Sequence, residues 1–537
     1  MTPPEHAVTD AAGASAVTDA AKASAVTEPT GTSTVTESLL EQLWSYGVLS
    51  PLDYHFARSL AALGGSGDAR ADDESAFCAA LASRAVQLGH VCLDLNRIQD
   101  LRFADRQAGR SGSARAELRC PEPERLLAAL RVSPLCSDGS RPTPLVLDAH
   151  GRLYLQRYAN HERELANALL ARAKPAAGVD LTRLGQGLSR FADTSAQART
   201  ELSPLELAGA VAALQRLAVI CGGPGTGKTT TVVKILALLV ERALEDSGAA
   251  LGILLLAPTG KAAQRLAFSV AQGLATLELS EPIRAGIPAQ ASTIHRALGG
   301  GRGASGRFWH GADNPLPADL VVVDEVSMVD LVLLRQLVDA LRPEARLILL
   351  GDKDQLASVE AGAILGDIYD ATAASEWSSD FAARVHAATG KVLPAQRARA
   401  GLADCLVSLE QSHRYAADSG IGQLARAIQR GSTEQALEVL ERTEPDADCR
   451  RLEPSARDSS EQLLLEQIAT SSYRPFIEAN DPAQKLTLLE GYRILCAHRH
   501  GPEGVESINA EVERWLARAG LIDPEGRFYE NRPLLIT

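Results

Sequence analysis

The sequence predicts an α/β fold built on parallel sheets, preceded by a mostly helical region. Three observations carry this. Between 217 and 351, short apolar runs recur before polar loops and helical patterns: "LAVICG", "GILLLAPTG", "LVVVDE" and "RLILLGD". The runs are continuous rather than alternating, as strands buried on both faces require, and that points to parallel pairing. Second, "CGGPGTGKTTT" at 221–231 contains a G-x-x-x-x-G-K-[ST] phosphate loop, Gly222–Thr229, set between a strand-like run and a helical one. Third, the residues before 193 lack buried-strand runs of this kind. They begin with Leu39, Leu40, Leu43 and Trp44 at helical spacing.

At 537 residues the chain exceeds what one core supports. No stretch of about 18 uncharged apolar residues occurs, and "MTPPEHAVTD" lacks the basic start and apolar centre of a secretory signal. The expectation is a cytoplasmic protein with no membrane partner. The eight cysteines are scattered without a C-x-x-C pair, which predicts neither a disulfide framework nor a zinc site. A net charge of −13 argues against a protein that coats nucleic acid, while leaving room for a local basic channel. Only eight of the 54 basic residues are lysines, and four of these, Lys228, Lys234, Lys261 and Lys353, fall between 228 and 353. Lysine there suits sites that need a compact ammonium.

In chain order, residues 1–37 repeat "AVTD", "AVTD", "AVTE" and "TVTE" every nine residues without an aromatic, a composition that predicts a disordered tail. Residues 38–193 predict a mostly helical domain in which "PLVLDAHGRLYLQRYANHERELANALLARA" forms a short strand pair around His150–Gly151 and then a long helix. Residues 194–370 hold the strand–helix alternation. Residues 371–404 read as an irregular insertion or linker, and 405–537 as a second α/β unit containing "YRILCAH" and ending on "RPLLIT".

The motifs specify chemistry. Gly222, Gly223, Pro224, Gly225, Thr226, Gly227, Lys228, Thr229 and Thr230 form a loop whose backbone N–H groups can close around phosphates. Lys228 reaches the β/γ-phosphates and Thr229 offers its hydroxyl to Mg²⁺. "VVVDEVSM" delivers Asp324 to hold the metal and Glu325 to polarise the attacking water at a strand's carboxyl end. The predicted cofactors are thus ATP and Mg²⁺. In "APTGKAAQRL", Thr259 and Lys261 stand where a strand gives way to a helix, and "ASTIHRALG" repeats the device with Thr293 and His295. Both segments suit a nucleic-acid phosphate outside the nucleotide pocket, although Ser and Thr before a helix are more often plain caps. Gln355 in "GDKDQLASVEAG" is placed to sense a γ-phosphate. Arg414 in "SHRYAADSGIG" is a candidate arginine finger.

The order phosphate loop, A-P-T-G-K-A, S-T-I-H, D-E, G-D-x-x-Q-L and S-x-R-Y resembles superfamily 1 DNA helicases. More narrowly, "GGPGTGKTTTV", "APTGKAAQRL", "ASTIHRALG", "VVVDEVSMVDL", "LGDKDQLASVEAGAILGDI", "SHRYAADSGIGQLA" and "YRILCAHRHGPEGVESIN" resemble the RecD family, alpha subunits of RecBCD helicase–nucleases (exodeoxyribonuclease V). "PLVLDAHGRLYLQRY" extends the likeness toward the N-terminus. The resemblance implies a P-loop NTPase with two RecA-like domains, 194–370 and an incomplete 405–537, moving 5′ to 3′ on single-stranded DNA. It also implies RecB and RecC subunits as partners, docked through 38–193, and a nuclease located in the RecB partner.

Two departures stand out. Where such helicases carry an adenine-reading glutamine, this chain has Leu205–Glu206–Leu207, and Gln215 lies too close to the strand. An S/T-x-H-K-S-Q-G-like segment and a second nucleotide-facing arginine are not found, which predicts a C-terminally incomplete member. The alternatives are a stand-alone RecD-like helicase, and a structural subunit that binds ATP without hydrolysing it.

Overall fold

The computed structural model describes residues 38–101, 103, 120–190, 202–300, 308–355, 358, 360–372, 377–394, 401–410, 415–416, 418–442, 448–449, 451 and 459–534. The expected tail at 1–37 and Arg414 lie outside these residues. The chain divides into two compact units: residues up to Gly223 with Gly227–Glu410, and Pro224–Thr226 with Gln411–Thr537.

The first unit begins with helices. Ser50 caps the helix Pro51–Leu63 in a reciprocal box with Asp53, and Pro51 occupies its first turn, where a missing N–H costs nothing. This helix and the helix Ala69–Gln87 bury Phe77, Leu43, Leu95 and Leu153 in a core of their own. A small sheet closes that core, ordered β1 (Cys92–Asp94), β4 (Arg152–Leu155), β3 (Leu145–Leu147), β2 (Cys136–Ser137). The β3–β4 hairpin turns at Gly151, whose φ of 78° suits glycine.

The main sheet has six strands, all parallel, in the order β10-β5-β9-β8-β6-β7. They are β5 (Leu217–Gly222), β6 (Ile253–Ala257), β7 (Ser292–Thr293), β8 (Leu320–Val323), β9 (Arg346–Gly351) and β10 (Leu406–Leu409). Side chains alternate between two cores. Ala218, Ile220, Val322, Ile348 and Leu350 face the helices Pro204–Leu214, Lys228–Ser247 and Gly260–Thr276. Leu217, Val219, Val321, Val323, Leu347 and Leu349 face the helices Leu331–Asp339 and Ile364–Thr372.

Covering both faces redraws the expected boundaries. Leu165 and Leu169, from the helix Gln156–Arg172, pack in the second core, and Leu184 and Leu188 pack in the first. The region 38–193 is therefore not one separate module: its own core ends near Leu155, and its later helices cover the main sheet. Residues 371–404 are not merely an irregular insertion, because the helix Ser379–Thr389 buries Phe381, Ala382 and Val385 in the first core. Cys405–Leu409 does not open a second α/β unit. It ends as β10, paired in register with Val219–Gly222 of the phosphate-loop strand.

The described residues beyond 410 carry helices and no strand: Gly420–Gln429, Thr433–Leu440, Ser459–Glu478, Pro482–Leu489 and Val505–Arg518. Their small core gathers Phe476, Ile477 and Leu516. The expected strand in "YRILCAH" is not formed, and that in "RPLLIT" falls largely on 535–537, outside the described residues. Leu495 is 91% exposed and Leu534 64%, and an apolar run without a hydrogen-bonded neighbour has no ladder to join.

Largely buried cations tie elements together, two of them, Arg346 and Arg172, at the amino edge of the main sheet. Arg346 donates to the carbonyls of Ala212 and Ala213 (both 2.9 Å) and Gln215 (3.0 Å), satisfying the last turn of the helix Pro204–Leu214. Burial pushes its pKa down to about 10, which leaves it charged at neutral pH. Arg172 does the same for the carbonyls of Leu341 (3.0 Å), Arg342 and Ala345 (both 3.1 Å). Lys391 pairs with Glu206 at 2.7 and 2.9 Å, with side-chain exposures of only 11% and 3%.

Removing the cation of that last pair strands a buried carboxylate, so Lys391→Met should destabilise the first unit by about 3–5 kcal/mol. Adding Glu206→Gln should restore much of the loss. Thermal or urea midpoints of the two variants check this, and equal stability of Lys391→Met and the parent chain would contradict it.

Candidate nucleotide site and nucleic-acid interface

Because all six strands of the main sheet run in parallel, their carboxyl ends share one edge, where ligands of open α/β sheets bind. β5 delivers the phosphate loop there. Gly225 and Gly227 hold φ of 77° and 79°, a turn that points backbone N–H groups inward at the start of the helix Lys228–Ser247. The Lys228 ammonium donates to the carbonyl oxygen of Gly222 and, at 3.0 Å, to that of Gly223. Thr231 donates its hydroxyl to the Gly227 carbonyl at 2.9 Å, bracing the first turn, and the neighbouring Thr229 is partly exposed.

β9 lies between β5 and β8, and β8 ends at the acid pair. Asp324 is partly buried and accepts the backbone N–H of Glu325 at 2.9 Å. Burial raises its pKa, against the opposing charges of Lys228 and Arg265. Glu325 is raised by burial and then by the Asp324 charge, again opposed by Lys228 and Arg265. Its Oε2 is buried without a hydrogen-bond partner, as is the Ser327 hydroxyl. Glu325 is also one of two described non-glycine residues with positive φ, at 54°, a conformation that costs energy and clusters at functional sites. Gly351, at the end of β9, permits this turn: a Cβ there would lie 3.3 Å from the backbone nitrogens of Val326 and Ser327 and 2.5 Å from Leu365.

Beyond Gly351, Asp352 is buried and accepts the backbone N–H of Asp354 at 3.1 Å, while Gln355 is exposed. Lys353 lies 4.8 Å from the centre of the Tyr369 ring and pairs with Asp354.

The edge away from β5 carries the expected nucleic-acid residues. β6 pairs with β7, setting Ala257 opposite Thr293. Thr259 caps the helix Gly260–Thr276 by accepting from Ala262 at 3.2 Å, and Thr293 accepts from Arg296 at 3.2 Å. Both act as caps, while each hydroxyl proton remains able to donate. Lys261, Arg265 and Phe268 are exposed on one helix, and His295 is exposed beside Phe308, with ring centres 5.7 Å apart.

Lys228, Asp324 and Glu325 thus come together, and Thr259 and Thr293 sit on paired strand ends. Arg265 had gone unnoticed in sequence. Its spacing in "GKAAQRL" marks only an exposed helix position, and its influence on the acid pair depends on tertiary placement. Neither glutamine substitute is available to adenine through its side chain's known contacts: Glu206 is held by Lys391, and Gln215 is buried at a helix end. Among the described residues, no group of three or more His, Cys, Asp or Glu could hold a further metal ion, and no helix is long and apolar enough to cross a membrane.

A family model described as an AAA domain matches residues 207–361, and one described as the N-terminal domain of RecBCD enzyme subunit RecD matches 45–154. The second span closely follows the N-terminal core and its small sheet. The RecBCD enzyme subunit RecD of Mycolicibacterium smegmatis is 37% identical over 498 residues, covering 91% of this chain and 77% of that protein. That of Mycobacterium tuberculosis is 38% identical over 506 residues, covering 91% and 75%. The ATP-dependent RecD2 DNA helicase of Deinococcus radiodurans is 36% identical over 214 residues, covering 40% of this chain and 25% of that protein. Similarity sustained across both the N-terminal core and the nucleotide-binding sheet makes the chain a member of the RecD family of RecBCD enzyme subunits.

Proposed function

We propose that this chain is an ATP-dependent DNA helicase subunit that hydrolyses ATP to move 5′ to 3′ along single-stranded DNA. It would work in the cytoplasm with RecB and RecC subunits, in double-strand break repair and recombination. The observation that carries the reading is the meeting of Lys228 with Asp324 and with Glu325, whose Oε2 has no hydrogen-bond partner and whose φ is positive, at the strand edge beside Thr259 and Thr293.

The residues fit a Mg²⁺–nucleotide. Two partly buried carboxylates with raised pKa values want a cation, and the glycine turn offers N–H groups to phosphate. Gly222–Thr230 would wrap the phosphates, with Lys228 exchanging its loop carbonyls for β/γ-oxygens. Thr229 and Asp324 would hold Mg²⁺, which supplies charge that stabilises the phosphate oxygens. Glu325 would take a proton from the attacking water, Gln355 would report the γ-phosphate, and Arg414 would offset charge in the transition state. Thr259, Lys261, Thr293 and His295 would contact the DNA strand. A scaffold that only binds ATP is disfavoured by Glu325, whose orphaned oxygen and left-handed backbone would be costs without a return.

Activity and stability should respond to pH in opposite senses. A carboxyl whose pKa is raised on folding binds more protons folded than unfolded between the two values. Stability therefore falls as pH rises through that window, and the full penalty persists above it. The base form of Glu325 is needed for catalysis, so turnover should fall as pH drops through its raised pKa.

Asp324→Asn should consequently stabilise the nucleotide-free chain at neutral pH, by about 0.5–2 kcal/mol, while abolishing Mg²⁺-dependent turnover. A melting midpoint unchanged or lowered relative to the parent, measured in chelator, would count against the buried-charge argument. The function itself is tested by ATP hydrolysis with and without single-stranded DNA. Strong stimulation that disappears in Lys228→Ala is expected, and normal turnover by that variant would remove the site assignment. Arg414→Ala should lower kcat by about 10³-fold or more with little change in nucleotide affinity. Equal losses in both would make Arg414 a structural residue.

A further inference from the structure

We infer that Trp309 is a base-stacking platform for single-stranded DNA, a reading that rests on the DNA track proposed along the carboxyl ends of β6 and β7. Trp309 is 67% exposed. An exposed indole contributes little to folding, yet this one is held with unusual care. The backbone N–H groups of Trp309 and His310 both donate to the carbonyl of Leu298, at 2.9 and 3.0 Å, and Leu298 is fully buried in the core beneath the sheet. Asn314 donates its side-chain amide to the Trp309 carbonyl at 3.0 Å, and Gly311 bridges Asn314 to close the turn. Gly299, at φ 79°, lets the backbone pass so near that a Cβ there would lie 2.7 Å from the Trp309 Cβ. A large aromatic surface on a fixed backbone is preorganised for a flat partner.

Its surroundings specify that partner. Trp309 follows directly on Phe308, which stands edge-on to His295, and His295 and Arg296 are exposed immediately after Thr293. Aromatic faces beside basic groups and hydroxyl donors match a strand of nucleotides. Every base has a π-face to stack, and the phosphates want cations and donors. The contact is sequence-tolerant, as a motor that must pass any base requires.

The test uses the full chain and two fluorescently labelled single strands about 15 nucleotides long, one of thymidines and one abasic throughout. For the thymidine strand, Trp309→Ala should raise Kd by about 10-fold, while Trp309→Phe and Trp309→Tyr stay near the parent value. For the abasic strand all four proteins should bind alike, and the slope of log Kd against log salt should not change, since no phosphate contact is lost. DNA-independent ATP hydrolysis should be the same in all four, reporting an intact fold. If Trp309→Ala binds thymidine strands as tightly as the parent, or weakens both strands equally, the stacking role is wrong while the track itself stands. If the parent chain binds neither strand, the DNA track falls, and the stacking role falls with it. Loss of RecB and RecC association with DNA affinity intact would make Trp309 a protein contact and overturn the proposal.

Discussion

A parallel sheet has no solvated face, and that requirement organises the first unit. Six strands with apolar side chains alternating into two cores need helices on both sides, and the chain supplies them from distant places. The helix Gln156–Arg172 arrives from before the phosphate loop, and the helix Ser379–Thr389 from after β9. The RecD-type N-terminal core is therefore continuous with the motor's sheet through a helix that serves it as cover. Leu165 and Leu169 of that helix are packed in the same layer as Val219 and Leu349. The amino edge, where the motor does no chemistry, is closed by Arg172 and Arg346 on helix carbonyls, which leaves the carboxyl edge to do the binding.

At that carboxyl edge the fold accepts local cost. Asp324 and Glu325 are partly buried side by side, each raised by desolvation, and Glu325 sits in a left-handed turn that Gly351 makes room for. Lys228 and Arg265 soften the charge without cancelling it. Under the proposed function, a divalent cation and phosphates would satisfy groups that the protein alone leaves wanting. The same logic applies to Trp309, an exposed ring anchored through Leu298 to the core.

The phosphate loop and the acid pair were legible in sequence because their chemistry is local: a glycine turn between strand and helix, and carboxylates at a strand's end. The strand runs between 217 and 351 were legible for the same reason. What was not legible depends on partners far along the chain. Leu165 and Leu169 read equally well as the core of a separate helical domain. "LVSL" is too short to announce a strand until Val219–Gly222 offers it a ladder. "YRILCAH" has the composition of a buried strand, yet Leu495 stands exposed, because composition cannot create a neighbour. Thr259 and Thr293 look the same in sequence as caps or as phosphate contacts, and their geometry shows the capping half directly.

The placement of β7 bears on where the proposed nucleic-acid contacts would gather. Among the described residues it is a two-residue strand at the sheet's edge, paired to β6, and the chain passes directly from it into the short helix Ile294–Ala297 that carries His295. A short edge strand exposes little backbone to unwanted pairing. Under the proposed function, nucleotide chemistry and strand contact would lie apart on one sheet, because β9 and β8 stand between β5 and β6. Asp324 is itself tied to β6, because its backbone N–H donates to the Leu256 carbonyl at 2.9 Å, one residue before the Ala257 that pairs with Thr293.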